Sequence, residues 1–187
     1  MRQKYYSLRE LVNMIDEPNQ SCCKHFLDDN EDKIKNAKGS KTKHQFWNGG
    51  YIGHLTETMN IAITIFNSLN SNRKLGFSLQ DVLLVLFLHD LEKPWKYSNN
   101  DSDVQLCKSF SSSEKFKKSI IEKFNFELTE ELWKGLKHVH GEINDYDSHI
   151  KIQSPLSAFA HICDNISARI WFDFPNDSDE WSKNHFS

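Results

Sequence analysis

The sequence predicts an all-α fold in a single domain, on three observations. Apolar residues recur at alternating steps of three and four along one segment after another, the period of a helix with one buried face. Serine or threonine stands just ahead of most of those segments, where a side-chain oxygen can cap a helix. Seven consecutive apolar residues from Val82 to Leu88 leave no polar face, so a helix made of them must be enclosed by the rest of the chain. With 187 residues and 12% aromatic content there is material for a substantial core, and no long linker divides it.

The elements follow in order. Ser7-Leu8-Arg9-Glu10 reads as a capping box opening a short helix with the stripe Leu8, Leu11, Val12 and Ile15, which stops before Pro18. Residues 21–36 read as a second, more polar helix with Cys22 and Phe26 inward and His25 as a packing or surface histidine. Lys33, Lys35, Lys38, Lys41 and Lys43 run through a polar segment around Gly39 that lacks an apolar period, the composition of a solvated loop. Phe46-Trp47-Asn48-Gly49-Gly50-Tyr51-Ile52-Gly53-His54 is an aromatic, glycine-rich lead into a long helix, and its glycines permit close backbone approach. Leu55, Met59, Ala62, Phe66 and Leu69 form the buried face of that helix. His54 lies in its first turn, where it could serve as cap, core residue or ligand.

Ser78 caps the apolar helix, Asp81 completes the box and Phe77 can staple against Val82. Pro94 disfavours helical geometry at Lys93, which places His89 and Asp90 in the last turn. The unmatched carbonyls there favour a cation and disfavour a lone buried carboxylate. A metal suits that position; so does an aspartate paired with its neighbour or with Lys93.

A polar loop is expected through Asn99, Asn100, Asp101 and Asp103, followed by a capping box at Ser111 to Glu114 and a helix burying Phe116, Ile120, Ile121 and Phe124. Thr129 caps the next helix, with Glu130 and Glu131 in its first turn and Leu132, Leu136 and Val139 inward. The four-residue step from Leu136 brings His140 to that stripe, points His138 outward and leaves Gly141 to end the helix. Ser154-Pro155 opens the last helix, with Leu156, Phe159, Cys163, Ile166 and Ile170 on one stripe and Ser157, His161, Asp164 and Ala168 on another. An aspartate on so apolar a helix requires a partner, either an internal cation such as Arg169 or a metal. Beyond Trp171, the residues Asp173, Asp177, Asp179 and Glu180 suggest a polar, peripheral tail.

The formal charge of -3 supplies no global drive toward nucleic acid. Cys22, Cys23, Cys107 and Cys163 lack Cys-x-x-Cys spacing, and no stretch reads as a signal peptide or membrane span, so a reducing cytoplasm is the simplest address.

Taken together, His54, the pair His89-Asp90 and Asp164 resemble the HD-domain superfamily of metal-dependent phosphohydrolases. The likeness runs from about Trp47 to Trp171. Gly49 to His54 is similar to the family's glycine-rich lead to its first histidine, His89-Asp90-Leu91-Glu92-Lys93-Pro94 to its His-Asp-x-x-Lys pattern, and His161-Ile162-Cys163-Asp164 to the segment carrying its last aspartate. The resemblance implies one HD-like domain over 1–187, with N-terminal helices and a basic loop in 1–46, the HD core in 47–171 and the tail in 172–187. It implies one divalent ion per chain (Mn, Co, Ni, Fe, Zn or Mg) on His54, His89, Asp90 and Asp164, at bonds of roughly 2.0 to 2.2 Å.

Family chemistry would have that ion activate water against a small phosphorylated substrate, a nucleotide or deoxynucleotide, and homo-oligomers occur. In catalysis Asp90 would orient the nucleophile or take its proton, Lys93 would neutralise phosphate charge and Glu92 would support them. Lys41 and Lys43 are candidates to meet phosphate at the pocket mouth, and Trp47, Tyr51 and Trp95 to stack on a base if they are not core. Some members that cleave 5'-nucleotides carry an acid where this chain has Lys93. Two-metal members, phosphodiesterases and di-iron oxygenases among them, add histidines before the last aspartate; His138, His140 and His161 are available, although His138 lies further from Asp90 than in the oxygenase pattern. A non-catalytic module that senses a nucleotide is the remaining alternative.

Overall fold

The computed structural model describes residues 3–142 and 145–183, and every regular element among them is helical. The core is built from α4 (Gly50–Asn72), α5 (Leu79–Leu88), α9 (Glu130–Lys137) and α10 (Pro155–Asn165); α4, α5 and α10 contact one another, and α9 packs on both α5 and α10. All residues from Val82 to Leu88 are buried, as an apolar helix in the middle of a bundle must be. No helix among the described residues is long and apolar enough to cross a membrane.

Caps set the helix starts. Ser7 and Glu10 close a capping box on α1 (Leu8–Val12), and Ser78 and Asp81 close another on α5. Ser112 caps α8 (Ser113–Lys123), Thr129 caps α9, and Ser154 caps α10 with Pro155 in its first turn. Gly49 takes φ 79° ahead of α4, and a Cβ on Gly50 would lie 1.8 Å from the carbonyl oxygen of Gln45, so both glycines do conformational or steric work no other residue could do.

The structure differs from the sequence expectation at several points. The helix expected over 21–36 is two, α2 (Asn19–Asp29) and α3 (Glu31–Asn36), because buried Asn30 turns its amide back to the Phe26 carbonyl at 2.9 Å. Cys23 is the fully buried thiol there, and Cys22 is only partly covered. Pro94 does not stop α5. That helix already ends at Leu88, His89 caps it with helical angles, and Pro94 sits in the first turn of α6 (Lys93–Lys96).

A helix, α7 (Asp101–Ser109), stands where a loop was expected: Asn100 caps it, Asp101 and Asp103 suit its positive end, and buried Asp103 meets Lys33 at 2.9 Å. His138 points inward, Nε2 lying 3.0 Å from Asp145 Oδ2. Leu69 and Ile170, expected on buried stripes, are 45% and 65% exposed. For Ile170 the reason is local: residues 166–170 wind as a π-turn, with Trp171 N–H bonded to the Ile166 carbonyl at 2.9 Å, and the wider turn rotates the stripe off the core while turning Ser167 fully inward.

The segment after Trp171 folds back on the bundle. Trp181 meets Tyr5 edge to face at 5.0 Å and Trp171 at 5.8 Å, and its indole N–H donates to the Gln3 carbonyl. The Gln45 amide donates to the Phe172 carbonyl at 2.8 Å, which ties the stretch to the base of α4.

Candidate metal centre

Three core helices deliver the site. His54 projects from the second turn of α4, His89 and Asp90 from the turn that ends α5, and Asp164 from the last turn of α10. His54 Nε2 lies 3.3 Å from His89 Nε2, 3.2 Å from Asp164 Oδ1 and 3.5 Å from Asp90 Oδ2. His89 Nε2 lies 3.0 Å from Asp90 Oδ2 and 3.7 Å from Asp164 Oδ1. Ligand atoms held about 2.1 Å from a divalent ion stand about 3.0 to 3.4 Å apart at octahedral to tetrahedral angles; three of these five spacings fall in that range, and those at 3.5 and 3.7 Å are slightly wider. One ligand atom each from His54, His89 and Asp164 lies within 4.8 Å of the others. This buried trio could hold a metal ion, and Asp90 borders it.

The outward nitrogens of both rings are engaged. His89 Nδ1 donates to the Leu86 carbonyl at 2.5 Å and His54 Nδ1 meets the Ser167 hydroxyl at 3.0 Å, which leaves both Nε2 atoms directed at the same point. Two imidazole nitrogens converging with carboxylate oxygens is donor chemistry suited to a borderline divalent cation.

The electrostatics agree. Burial opposes charge on Asp164, but His140, His54 and His89 outweigh it and hold the carboxyl far below its ordinary range; His89 and Lys93 do the same for Asp90. Burial likewise opposes a charged His89, yet Asp90 and Asp164 raise it to about 10. His140 is raised by the same two carboxylates, with Nδ1 3.2 Å from Asp164 Oδ2 and Nε2 3.6 Å from Asp90 Oδ1. The two acids thus gather positive charge from every side. Asp164, for which Arg169 was one expected partner, is matched instead by histidines.

A cavity of about 520 Å³ opens over the centre, within the range of small-ligand pockets. Asp90 and Asp164 lie in its wall together with Lys43, Lys93, Lys96, Lys117 and Arg169. Lys93 Nζ is 2.5 Å from Asp90 Oδ2. The Lys117 ammonium donates to the His89 carbonyl at the negative end of α5, and Glu92 Oε2, buried without a hydrogen bond, is 4.0 Å from Lys117 Nζ. His140 and His161 also line the cavity, whereas His138 is turned to Asp145.

Not every expected substrate contact gathers here. Lys43 lines the cavity and Lys41 is exposed elsewhere on the loop. Trp47 borders a different cavity with Tyr5, Arg9 and Lys35. Tyr51 is fully buried, and Trp95 packs on Phe116 at 5.5 Å and Phe26 at 6.2 Å.

Several residues of the site carry no motif. His44, kept neutral by burial that lowers it to about 4, lies tilted against the His54 ring at 4.8 Å. Lys117 comes from α8 and Ser167 from the π-turn. Glu57, one turn beyond His54, had a sequence signal: apart from His54 it is the lone acidic or basic side chain in the 23 residues of α4. Burial raises its carboxyl to about 8, the Ser167 hydroxyl partly offsetting the rise.

Because that value exceeds the unfolded one, the folded state binds the extra proton between about 4.5 and about 8, so this group's contribution to stability falls as pH rises through that window. Glu57→Gln, which stays neutral, is expected to gain on the metal-free wild type by on the order of 3 kcal/mol between about pH 5 and about pH 8.5. Denaturant titrations of the two proteins at both pH values measure it, and a constant difference would refute the buried neutral acid.

No protein-family model, curated protein or solved structure matches this chain.

Proposed function

We propose that this chain is an HD-type, metal-dependent phosphohydrolase that removes phosphate or polyphosphate from a small nucleotide. The observation that carries the reading is the convergence of His54 and His89 Nε2, 3.3 Å apart, with the carboxylates of Asp90 and Asp164 beneath a cavity walled by five cationic side chains. His54, His89, Asp90 and Asp164 would hold one divalent ion. Bound there, the ion would polarise a phosphoryl oxygen and lower the pKa of its water.

The chain's own groups supply the rest. Lys93, Lys43 and Arg169 neutralise phosphate oxygens entering the cavity, and the compact lysines and forked guanidinium suit that task. Asp90, already paired with Lys93, orients the attacking water or takes its proton. Glu92 presents a buried carboxylate to the same space. The four cysteines are unpaired, and a reducing cytoplasm is the compartment this proposal assumes.

Incubating purified protein with each of Mn, Co, Ni, Fe, Zn and Mg and a panel of nucleotides is expected to release phosphate, pyrophosphate or triphosphate. The release should be lost in His89→Ala. No product with any ion would overturn the proposal and favour a nucleotide-sensing module, which tight binding without turnover would support. One observation favours a second reading: His140 lies 3.2 Å from the other oxygen of Asp164, so a bridging aspartate could join two ions, and two metal equivalents per chain would move the assignment to a two-metal phosphodiesterase or oxygenase.

A further inference from the structure

The buried polar chain behind His54 has no counterpart in the sequence motifs, and nothing in the chemistry above uses it. His54 Nδ1 is 3.0 Å from Ser167 Oγ, and Ser167 Oγ donates to Glu57 Oε2 at 2.6 Å. His54 and Ser167 are fully buried and Glu57 is 2% exposed. Gln45, also fully buried, donates its side-chain amide to the Phe174 carbonyl at 2.6 Å and reaches Ser167 Oγ at 3.2 Å and Glu57 Oε2 at 3.3 Å. Donors therefore converge on Glu57, which accepts.

The direction of this chain follows from hydrogen count. A hydroxyl has one proton; Glu57 Oε2 already accepts from the Gln45 amide at 3.3 Å, so the proton of the neutral carboxyl sits on Oε1 and the 2.6 Å contact commits Ser167's proton to Oε2. Ser167 can then only accept from His54, so the His54 proton must reside on Nδ1 and the lone pair on Nε2. Were Ser167 to donate to His54 instead, Nε2 would carry the proton and could not bind an ion. The relay thus selects between a ligating and a non-ligating histidine, two tautomers of nearly equal intrinsic energy.

We infer that Glu57, acting through Ser167, is a positioning residue that fixes His54 in the tautomer able to ligate, and so sets the affinity of the centre for its ion. This rests on the metal reading of the previous subsection. Gln45 and the π-turn of 166–170 are the framework: the first ties the 171–174 backbone over the pair, and the second turns Ser167 toward His54. Glu57 touches neither the ion position nor the cavity; its effect passes through two hydrogen bonds.

The test uses the full chain, histidine ring nitrogen shifts from long-range proton–nitrogen correlation spectra of the metal-free protein, and calorimetric binding of manganese and zinc alone. Wild type is expected to show His54 protonated at Nδ1. Ser167→Ala, which removes one oxygen from a closed site, is expected to shift His54 toward the Nε2-protonated form and to weaken binding about 10- to 100-fold. Glu57→Leu should do the same, and Glu57→Gln, whose amide oxygen can still accept, should stay within about threefold of wild type. Ser167→Ala with unchanged ring shifts and an affinity within about twofold of a wild type that binds would overturn the relay alone. A wild type that takes up neither ion would overturn the metal reading, and the relay's role with it.

Discussion

His89→Ala is expected to remove metal binding from the protein altogether. In wild type, an ion present at about 100 times its dissociation constant should raise stability by about 2.7 kcal/mol. In a chain of this size that corresponds to roughly 5 to 10 °C in Tm. The variant should show no shift at any concentration tested. It loses the nitrogen that stands 3.0 Å from Asp90 and 3.3 Å from His54, at the centre of the donor set. A missing ligand should cost more than the 10- to 100-fold expected of an outer partner.

The variant should also be less stable without metal, because Asp90 and Asp164 lose a buried partner, a loss of the kind that costs about 3 to 5 kcal/mol. Asp164→Asn separates the two effects, since it keeps the side-chain volume while removing a charged ligand. Thermal melts with and without manganese, together with metal analysis of the purified proteins, decide the matter. An undiminished thermal shift in both variants would place the ion elsewhere.

The second large effect is structural. Gly50→Ala is expected to cost about 3 to 5 kcal/mol, or roughly 10 °C in Tm. The added Cβ would stand 1.8 Å from the Gln45 carbonyl oxygen and 2.7 Å from its carbon, both backbone atoms. That strand of backbone cannot yield cheaply. The Gln45 carbonyl accepts from the Gly39 amide at 2.8 Å and the Gln45 amide donates to the Phe172 carbonyl at 2.8 Å, so relief of the clash would break bonds on both sides. His54 lies one turn along the same helix, and the metal-dependent rise in Tm should shrink as well. Gly76→Ala is the control, because nothing lies within 4 Å of the Cβ it would add; it should be neutral or stabilise slightly. Equal melting temperatures for the two variants would show that the close approach at Gly50 is unimportant.

The helix starts were legible because a cap and the amide it accepts are three residues apart; Ser7, Ser78, Thr129 and Ser154 each act on their own first turn. Burial of α5 was legible because a run without a polar face admits one environment. Asp164 and the His89-Asp90 pair stood out as polar side chains on apolar helices, where a buried carboxylate required a partner, whereas His54 joined them only through the family resemblance. By contrast α7 buries only Asp103 and Cys107 and so offers no stripe to find. His138 was expected to face outward because helical spacing assumes the helix continues, whereas α9 ends at Lys137 and the chain turns.

Sequence alone determined, then, what local chemistry can determine: where helices begin, which faces seek cover, and which buried polar groups demand partners. Tertiary structure decided who those partners are. Ser167 reaches Glu57 across 110 positions and Gln45 reaches Phe174 across 129. Trp47, beside the glycine-rich lead, faces another cavity, while Lys117 from a distant helix closes the end of α5. Local rules act over one helical turn, and meetings at such separations depend on how whole helices pack, which no short stretch of residues encodes.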